Sequence, residues 1–270
     1  MTLFPAWQGY LILPPLPERR EKIAGNMICQ RPFRGSRCRA EIAPSQYKGH
    51  DLIKTDLAAP FDQILLRQKG ARRLDSPFPV LTTRQLSDVS DLTESTDLFW
   101  DSAGKLEHYA ETPEQVLALW RNKFRFRVES EDGHEPGLRM PQIGALHAIA
   151  AHFAVGERFE PATVVLPTGT GKTETMLATL VYRQLKRTLV LVPSDALRTQ
   201  ISEKFLSLGV LPAAGVVPGQ LPGPHVARIT TGLQTLEECR SLVEKANVIV
   251  TLPDSLRTFA PEALEYLLDH

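Results

Sequence analysis

Three cysteines in 270 residues, Cys29, Cys38 and Cys239, are too few and too scattered to form a disulfide framework, and they fit a reducing compartment. There is no close Cys-x-x-Cys pair, so free thiols are a better account of Cys29 and Cys38 than a zinc site completed by His50. No apolar run reaches the roughly 18 residues of a membrane helix. Prolines interrupt the N-terminal "MTLFPAWQGYLILPPLPERR" where a signal peptide needs an unbroken apolar stretch. Neither sign of charge dominates: 31 Lys and Arg balance 31 Asp and Glu, so a nucleic-acid partner would have to be held by a local groove rather than by the field of the whole protein. No internal repeat suggests a solenoid. What remains is the expectation of a soluble globular protein, cytoplasmic by default and without a membrane partner. Its 43% hydrophobic content is enough for one large or two modest domains.

The chain reads as two regions. Residues 1–110 form an N-terminal accessory region, mixed or poorly ordered, with prolines in "LPPLPERR", arginines in "RPFRGSRCR" and polar residues in "TTRQLSDVSDLTESTD". Short elements are the most it promises. Arg31, Arg34, Arg37 and Arg39 suit either phosphate contact or a solvated loop. From residue 111 to 270 the patterning sharpens. "TPEQVLALWRNKF" predicts a helix with Thr112 as N-cap, Pro113 at its first position, and Val116, Leu119, Trp120 and Phe124 on one side. "PQIGALHAIAAHFA" predicts a second, with Ile143, Leu146, Ile149, Ala150 and Phe153 facing a core. Beyond residue 160, short apolar runs ("TVVL", "TLVLVP", "NVIVT") alternate with amphipathic stretches, the pattern of β-α units. The expected fold is α/β with a parallel sheet.

The stretch "VVLPTGTGKTET" carries the clearest chemistry. A glycine loop between a strand and a helix lets the backbone amides from Gly169 to Thr173 converge on a phosphate, where side chains at Gly169 and Gly171 would block approach. The helix dipole favours the anion there. Lys172 is placed to reach β- and γ-phosphates, and the Thr173 hydroxyl to ligate a bridging Mg²⁺. Gly-x-Gly-Lys-Ser/Thr should arise by chance in fewer than about one chain in a hundred of this length. Leu166 stands where such loops usually have their first glycine, but that position ends the predicted strand rather than facing phosphate.

Together with "LRMPQIGALHAI" upstream and "RTLVLVPSDALRTQ" downstream, this loop resembles the first RecA-like domain of superfamily-two helicases, closest to the DEAD/DEAH-box and type III restriction helicase group. The resemblance spans roughly residues 136 to 268. It implies a P-loop NTPase that uses ATP and Mg²⁺, with Lys172 and Thr173 catalytic and Thr168, Gly169, Thr170, Gly171, Lys172, Thr173 and Glu174 around the nucleotide. It assigns Gln142 to the adenine edge, since an amide matches the N6 and N7 pattern, and Arg139 to support of the pocket. It places Ser194, Arg198 and Gln200 against a nucleic-acid backbone, and with less force Thr231, Gly232, Thr251 and Ser255, each of which equally suits a cap or turn.

The same resemblance implies an Asp-Glu pair on a strand after "VTLPDSL", which the sequence does not supply, and arginine fingers from a second RecA-like domain. The reading is therefore the N-terminal part of a nucleic-acid-dependent ATPase, a DNA or RNA helicase or translocase. It binds ATP, needs downstream motifs to hydrolyse it, and works with the rest of its motor and with restriction or defence subunits. An isolated fragment of this kind is expected to have an unpaired sheet edge. A P-loop kinase or a nucleotide-dependent binding switch is the competing reading.

Overall fold

The computed structural model describes residues 7–33, 35–57, 61–84, 91–101, 111–155 and 160–270. Arg34 and parts of "TTRQLSDVSDLTESTD" lie outside them. The chain divides into two units, Met1–Pro17 with Phe33–Ala110, and Glu18–Pro32 with Glu111–His270.

In chain order the strands of the N-terminal half are β1 (Gln8–Leu13), β2 (Arg19–Ile23), β3 (Asn26–Gln30), β4 (Ser36–Pro44), β5 (His50–Thr55), β6 (Gln63–Arg67), β7 (Val80–Thr83) and β8 (Leu98–Trp100). The first unit is one six-stranded sheet ordered β1-β4-β5-β6-β7-β8, antiparallel except between β6 and β7. This is more regular than the short elements expected. The signal was the alternation in "SRCRAEIAP": Cys38, Ala40 and Ile42 are buried on one face, with Arg37, Arg39 and Glu41 exposed on the other. Of the arginines that look like a cluster in sequence, Arg37 and Arg39 are on the solvent side of β4, and Arg31 pairs with Glu18 and Glu203. Arg37 is bound by Glu94 at 2.6 Å and lies 3.8 Å over the Tyr10 ring. Leu11, Leu13, Ile53, Ile64 and Leu81 form the core of this unit.

The second unit adds helices α1 (Pro113–Trp120), α2 (Met140–Val155), α3 (Lys172–Arg183), strand β9 (Thr188–Leu191), α4 (Asp195–Ser207), β10 (Val226–Arg228), α5 (Leu236–Lys245), β11 (Val248–Thr251), α6 (Pro253–Leu256) and α7 (Pro261–Asp269). Thr112 and Gln115 close a reciprocal capping box at the start of α1, and Val116 and Trp120 are fully buried. Trp120 also donates its indole N–H to the Pro222 carbonyl at 3.0 Å. Ser194 caps α4, whose Ile201, Phe205 and Leu206 point inward.

The sheet of this unit is ordered β2-β3-β10-β11-β9. It corrects the expected parallel sheet: β10, β11 and β9 are parallel, but β3 pairs antiparallel with β10 and β2 antiparallel with β3, so the sheet is mixed. A second correction concerns "TVVL". Residues 163–166 form no strand, and Val164 and Val165 are exposed, the latter 85%. The reason is the lack of a partner: an apolar run becomes a buried strand only when neighbours complete its ladder. No described strand pairs with residues 163–166 or with the outer side of β9, where Leu191 is half exposed. For the same reason the expected inner face of α2 is only partly filled. Leu146 is buried, but Phe153 is 56% exposed.

Candidate functional site: the glycine loop and the carboxyl ends of three strands

The loop after Pro167 turns into α3 at Gly171, which acts as N-cap in the left-handed region (φ 87), as does Gly169 (φ 82). A Cβ on Gly169 would meet open space, whereas one on Gly171 would come within 2.2 Å of Gln142 Nε2. Thr170 bends back on Pro167, its amide and hydroxyl both donating to that carbonyl at 3.3 and 2.7 Å. The amides of Gly169, Gly171, Lys172, Thr173 and Glu174 have no such partner among the described residues, leaving several N–H donors together at a helix N-terminus. Lys172 is exposed and Thr173 half-buried beside them. An array of free donors next to a lysine and a hydroxyl suits a polyphosphate with its Mg²⁺.

Two residues of the "LRMPQ" motif hold this loop. Gln142 is 4% exposed, its Oε1 accepting from the Arg139 amide (2.8 Å) and its Nε2 donating to the Gly171 carbonyl (3.1 Å). A glutamine at the third position of α2 reaches back to the residue before the helix, and its other end reaches the loop, so both ends of the amide bond protein. Arg139 Nη1 donates to the Gly169 carbonyl at 2.7 Å, while Nε lies 3.5 Å from Glu129. Glu174 turns inward from the first turn of α3 and pairs with Lys204 of α4 at 2.6 Å. Nothing local in the sequence pointed to Lys204, because the pair spans two helices.

The other expected residues collect where β9, β10 and β11 end. Parallel strands place the loops that follow them on one edge of the sheet, the usual location of ligand sites in such sheets. Ser194 follows β9, and its Oγ accepts from Leu197 N at 3.4 Å. Gln200 is exposed on α4. Arg198 is largely buried and engaged, with Nη1 on the Ile229 carbonyl (2.7 Å) and Nη2 on Asp195 (2.8 Å), so it ties α4 to the end of β10 rather than offering a free guanidinium. Thr231 is exposed, whereas Gly232 is packed so closely on Thr258 that a Cβ would fall 2.3 Å from its carbonyl oxygen. Thr251 is fully buried, which removes its side chain from any strand passing over this edge. Ser255 is half-buried in α6 and its carbonyl accepts from Thr258 Oγ1 at 2.7 Å.

Sequence reasoning missed Asn26 altogether. This fully buried residue begins β3, and its Oδ1 accepts from the amides of both Thr230 (2.8 Å) and Thr231 (3.0 Å). The available signal was the two-residue turn Ala24-Gly25 between alternating runs.

A glycine loop with amides unpaired among the described residues, opening a helix and set in a unit with parallel strands, has the form of an anion-binding loop. Residues 135–258, just under half of the chain, match the family described as type III restriction enzyme, res subunit. Over this segment the chain is similar to that helicase family, the group that its motifs resemble. No curated protein and no solved structure matches the chain. No described helix is long and apolar enough to cross a membrane.

Proposed function

We propose that the second unit is a RecA-like ATP-binding domain of a nucleic-acid-dependent ATPase, a helicase or translocase, and that the loops after β9, β10 and β11 contact the nucleic-acid strand. The observation that carries this reading is the set of amides of Gly169, Gly171, Lys172, Thr173 and Glu174, unpaired among the described residues, beside loop carbonyls held by Gln142 and Arg139. Lys172 and these amides hold the phosphates, and the Thr173 hydroxyl holds Mg²⁺, which when bound neutralises charge on the β- and γ-oxygens. The protein's own contribution is positional. Gln142 and Arg139 fix the carbonyls of Gly171 and Gly169, so the unpaired amides of the loop would meet the anion already ordered.

The carboxylate nearest in sequence to the loop, Glu174, is committed to Lys204, which leaves it poorly placed to activate water. Hydrolysis therefore needs a carboxylate other than Glu174 to activate water. Mg-dependent binding of a fluorescent ATP analogue, lost in Lys172→Ala, tests the nucleotide site. Steady-state turnover with and without single-stranded DNA or RNA tests the nucleic-acid dependence. Turnover that neither nucleic acid stimulates would count against the motor reading. ATP binding with no affinity for either nucleic acid would favour the nucleotide-switch reading.

A further inference from the structure

The β2–β3 hairpin forms one edge of the second unit's sheet and adjoins the loop that follows β10. Its turn is made by Ala24 (φ 46) and Gly25 (φ 85), both left-handed, the geometry of a two-residue turn matched to strand twist. Asn26, immediately after the turn, is fully buried and gives its whole amide to this junction. Besides accepting from the Thr230 and Thr231 amides, it donates through Nδ2 to the carbonyls of Thr231 (3.0 Å) and Ala24 (3.3 Å). Residues 230 and 231 are thus pinned by their backbone while their side chains stay exposed.

The pairing register adds a second feature. Lys22 stands opposite Met27, and Met27 opposite Arg228, so the three side chains share one row and one face across β2, β3 and β10. At about 4.8 Å between strands, the two cationic residues lie about 10 Å apart along this row. Two of the other charges on β2 are compensated: Arg20 pairs with Glu18, and Glu21 with Lys245. Lys22 is exposed and Arg228 half-buried, and neither has a carboxylate partner among the described residues.

We propose that the β2–β3 hairpin is a nucleic-acid-gripping element. Asn26 is a positioning residue that holds the 230–232 loop in shape, and Lys22 with Arg228 supplies two cations for the phosphodiester backbone of a bound strand. This rests on the nucleic-acid reading given above and extends it to a part of the chain well upstream of the helicase motifs. Two uncompensated cations beside exposed threonine hydroxyls match a ligand that is a chain of singly charged phosphates with no other demand on chemistry.

The test uses the full chain and labelled oligo-dT and oligo-U, with binding followed by fluorescence anisotropy across a salt series. Lys22 sits on an exposed edge strand, so Lys22→Ala leaves folding intact. It is expected to weaken binding about threefold and to reduce the slope of log K against log salt by about 0.7, the loss of one phosphate contact to a single strand. Asn26→Ala is expected to weaken binding about tenfold and to raise deuterium uptake in residues 226–236, with affinity for the ATP analogue unchanged. Asn26→Asp keeps the acceptor for both amides but sets a second oxygen against the Thr231 and Ala24 carbonyls, so it too should raise uptake in the 226–236 segment. Comparing the two oligonucleotides separates DNA from RNA as the source of the backbone. Wild-type binding with neither affinity nor salt slope altered in Lys22→Ala would overturn the proposal and leave the nucleic-acid reading standing. Absence of wild-type binding to both oligonucleotides would overturn the reading itself. Binding of polyglutamate with the same Lys22 dependence would overturn the proposal in favour of an acidic protein partner.

Discussion

Lys204 Nζ lies 2.6 Å from Glu174 Oε1, joining the helix that follows the glycine loop to the helix that begins at Ser194. The carboxylate is mostly buried and the ammonium about one-third exposed, so solvent screens the pair only in part. Lys204→Met, which keeps the stem and removes the charge, should destabilise the second unit by about 1 kcal/mol, a figure already reduced for that exposure. Urea denaturation followed by the fluorescence of Trp120 would measure it.

Gln142 bonds the loop at the Gly171 carbonyl, which gives an expectation for nucleotide selection. Gln142→Ala should lower affinity for ATP and GTP analogues by the same factor, about tenfold for the loss of two buried hydrogen bonds. Parallel titrations with the two nucleotides would check this. A loss confined to the ATP analogue would instead assign Gln142 to adenine recognition.

The two loop glycines should respond differently to alanine. Gly169→Ala meets no neighbouring atom and carries only the penalty of a left-handed backbone, about 1–2 kcal/mol. Gly171→Ala carries that penalty and also displaces Gln142, whose Nε2 would lie 2.2 Å from the new methyl. Nucleotide binding should survive weakened in the first variant and disappear in the second, as read by calorimetric titration.

His225 gives the second unit an acid-sensitive element. Burial pushes its pKa below the ordinary 6.5, opposed by the Glu111 carbonyl that its Nε2 meets at 2.8 Å. Arg19 depresses it further, while Glu114 and Glu21 act to raise it. A histidine with a depressed folded pKa contributes stability above its unfolded value and loses it as pH falls through the folded one. The contribution should be complete above about pH 6.5 and fall away below it. Glu111 works in the opposite direction. Burial raises its pKa above 4.5, so its share of stability is present below that value and lost as pH rises through the raised one. Denaturation midpoints between about pH 7.5 and 5 should fall for the wild type and fall less for His225→Gln.

Much of the candidate site was legible in sequence because it is local. The glycine loop, its lysine and its threonine are consecutive residues, and a helix cap such as Thr112 with Gln115 is decided within one turn. The strand-end loops were legible as motifs, but the accessibility of their members was not. Thr251 and Ser255 are four residues apart, yet one side chain is fully buried and the other only half so. The N-terminal sheet was obscured for a different reason. Its strands announce themselves by an alternation of period two over a few residues, a weaker signal than the prolines and arginines superimposed on it.

The sequence by itself determined the elements whose causes lie within a few residues: the glycine loop, the capped helices α1, α4 and α5, and the strands β9 and β11, the second of them fully buried. Tertiary structure alone decided what depends on a distant partner. It brought Asn26 to the amides of Thr230 and Thr231, set Lys204 against Glu174, turned both ends of the Gln142 amide onto protein, and left Val165 exposed where a strand was expected. The physical reason is common to all four. A polar side chain or an apolar run is satisfied by whatever the rest of the fold places beside it, and no periodicity in the local sequence encodes that neighbour.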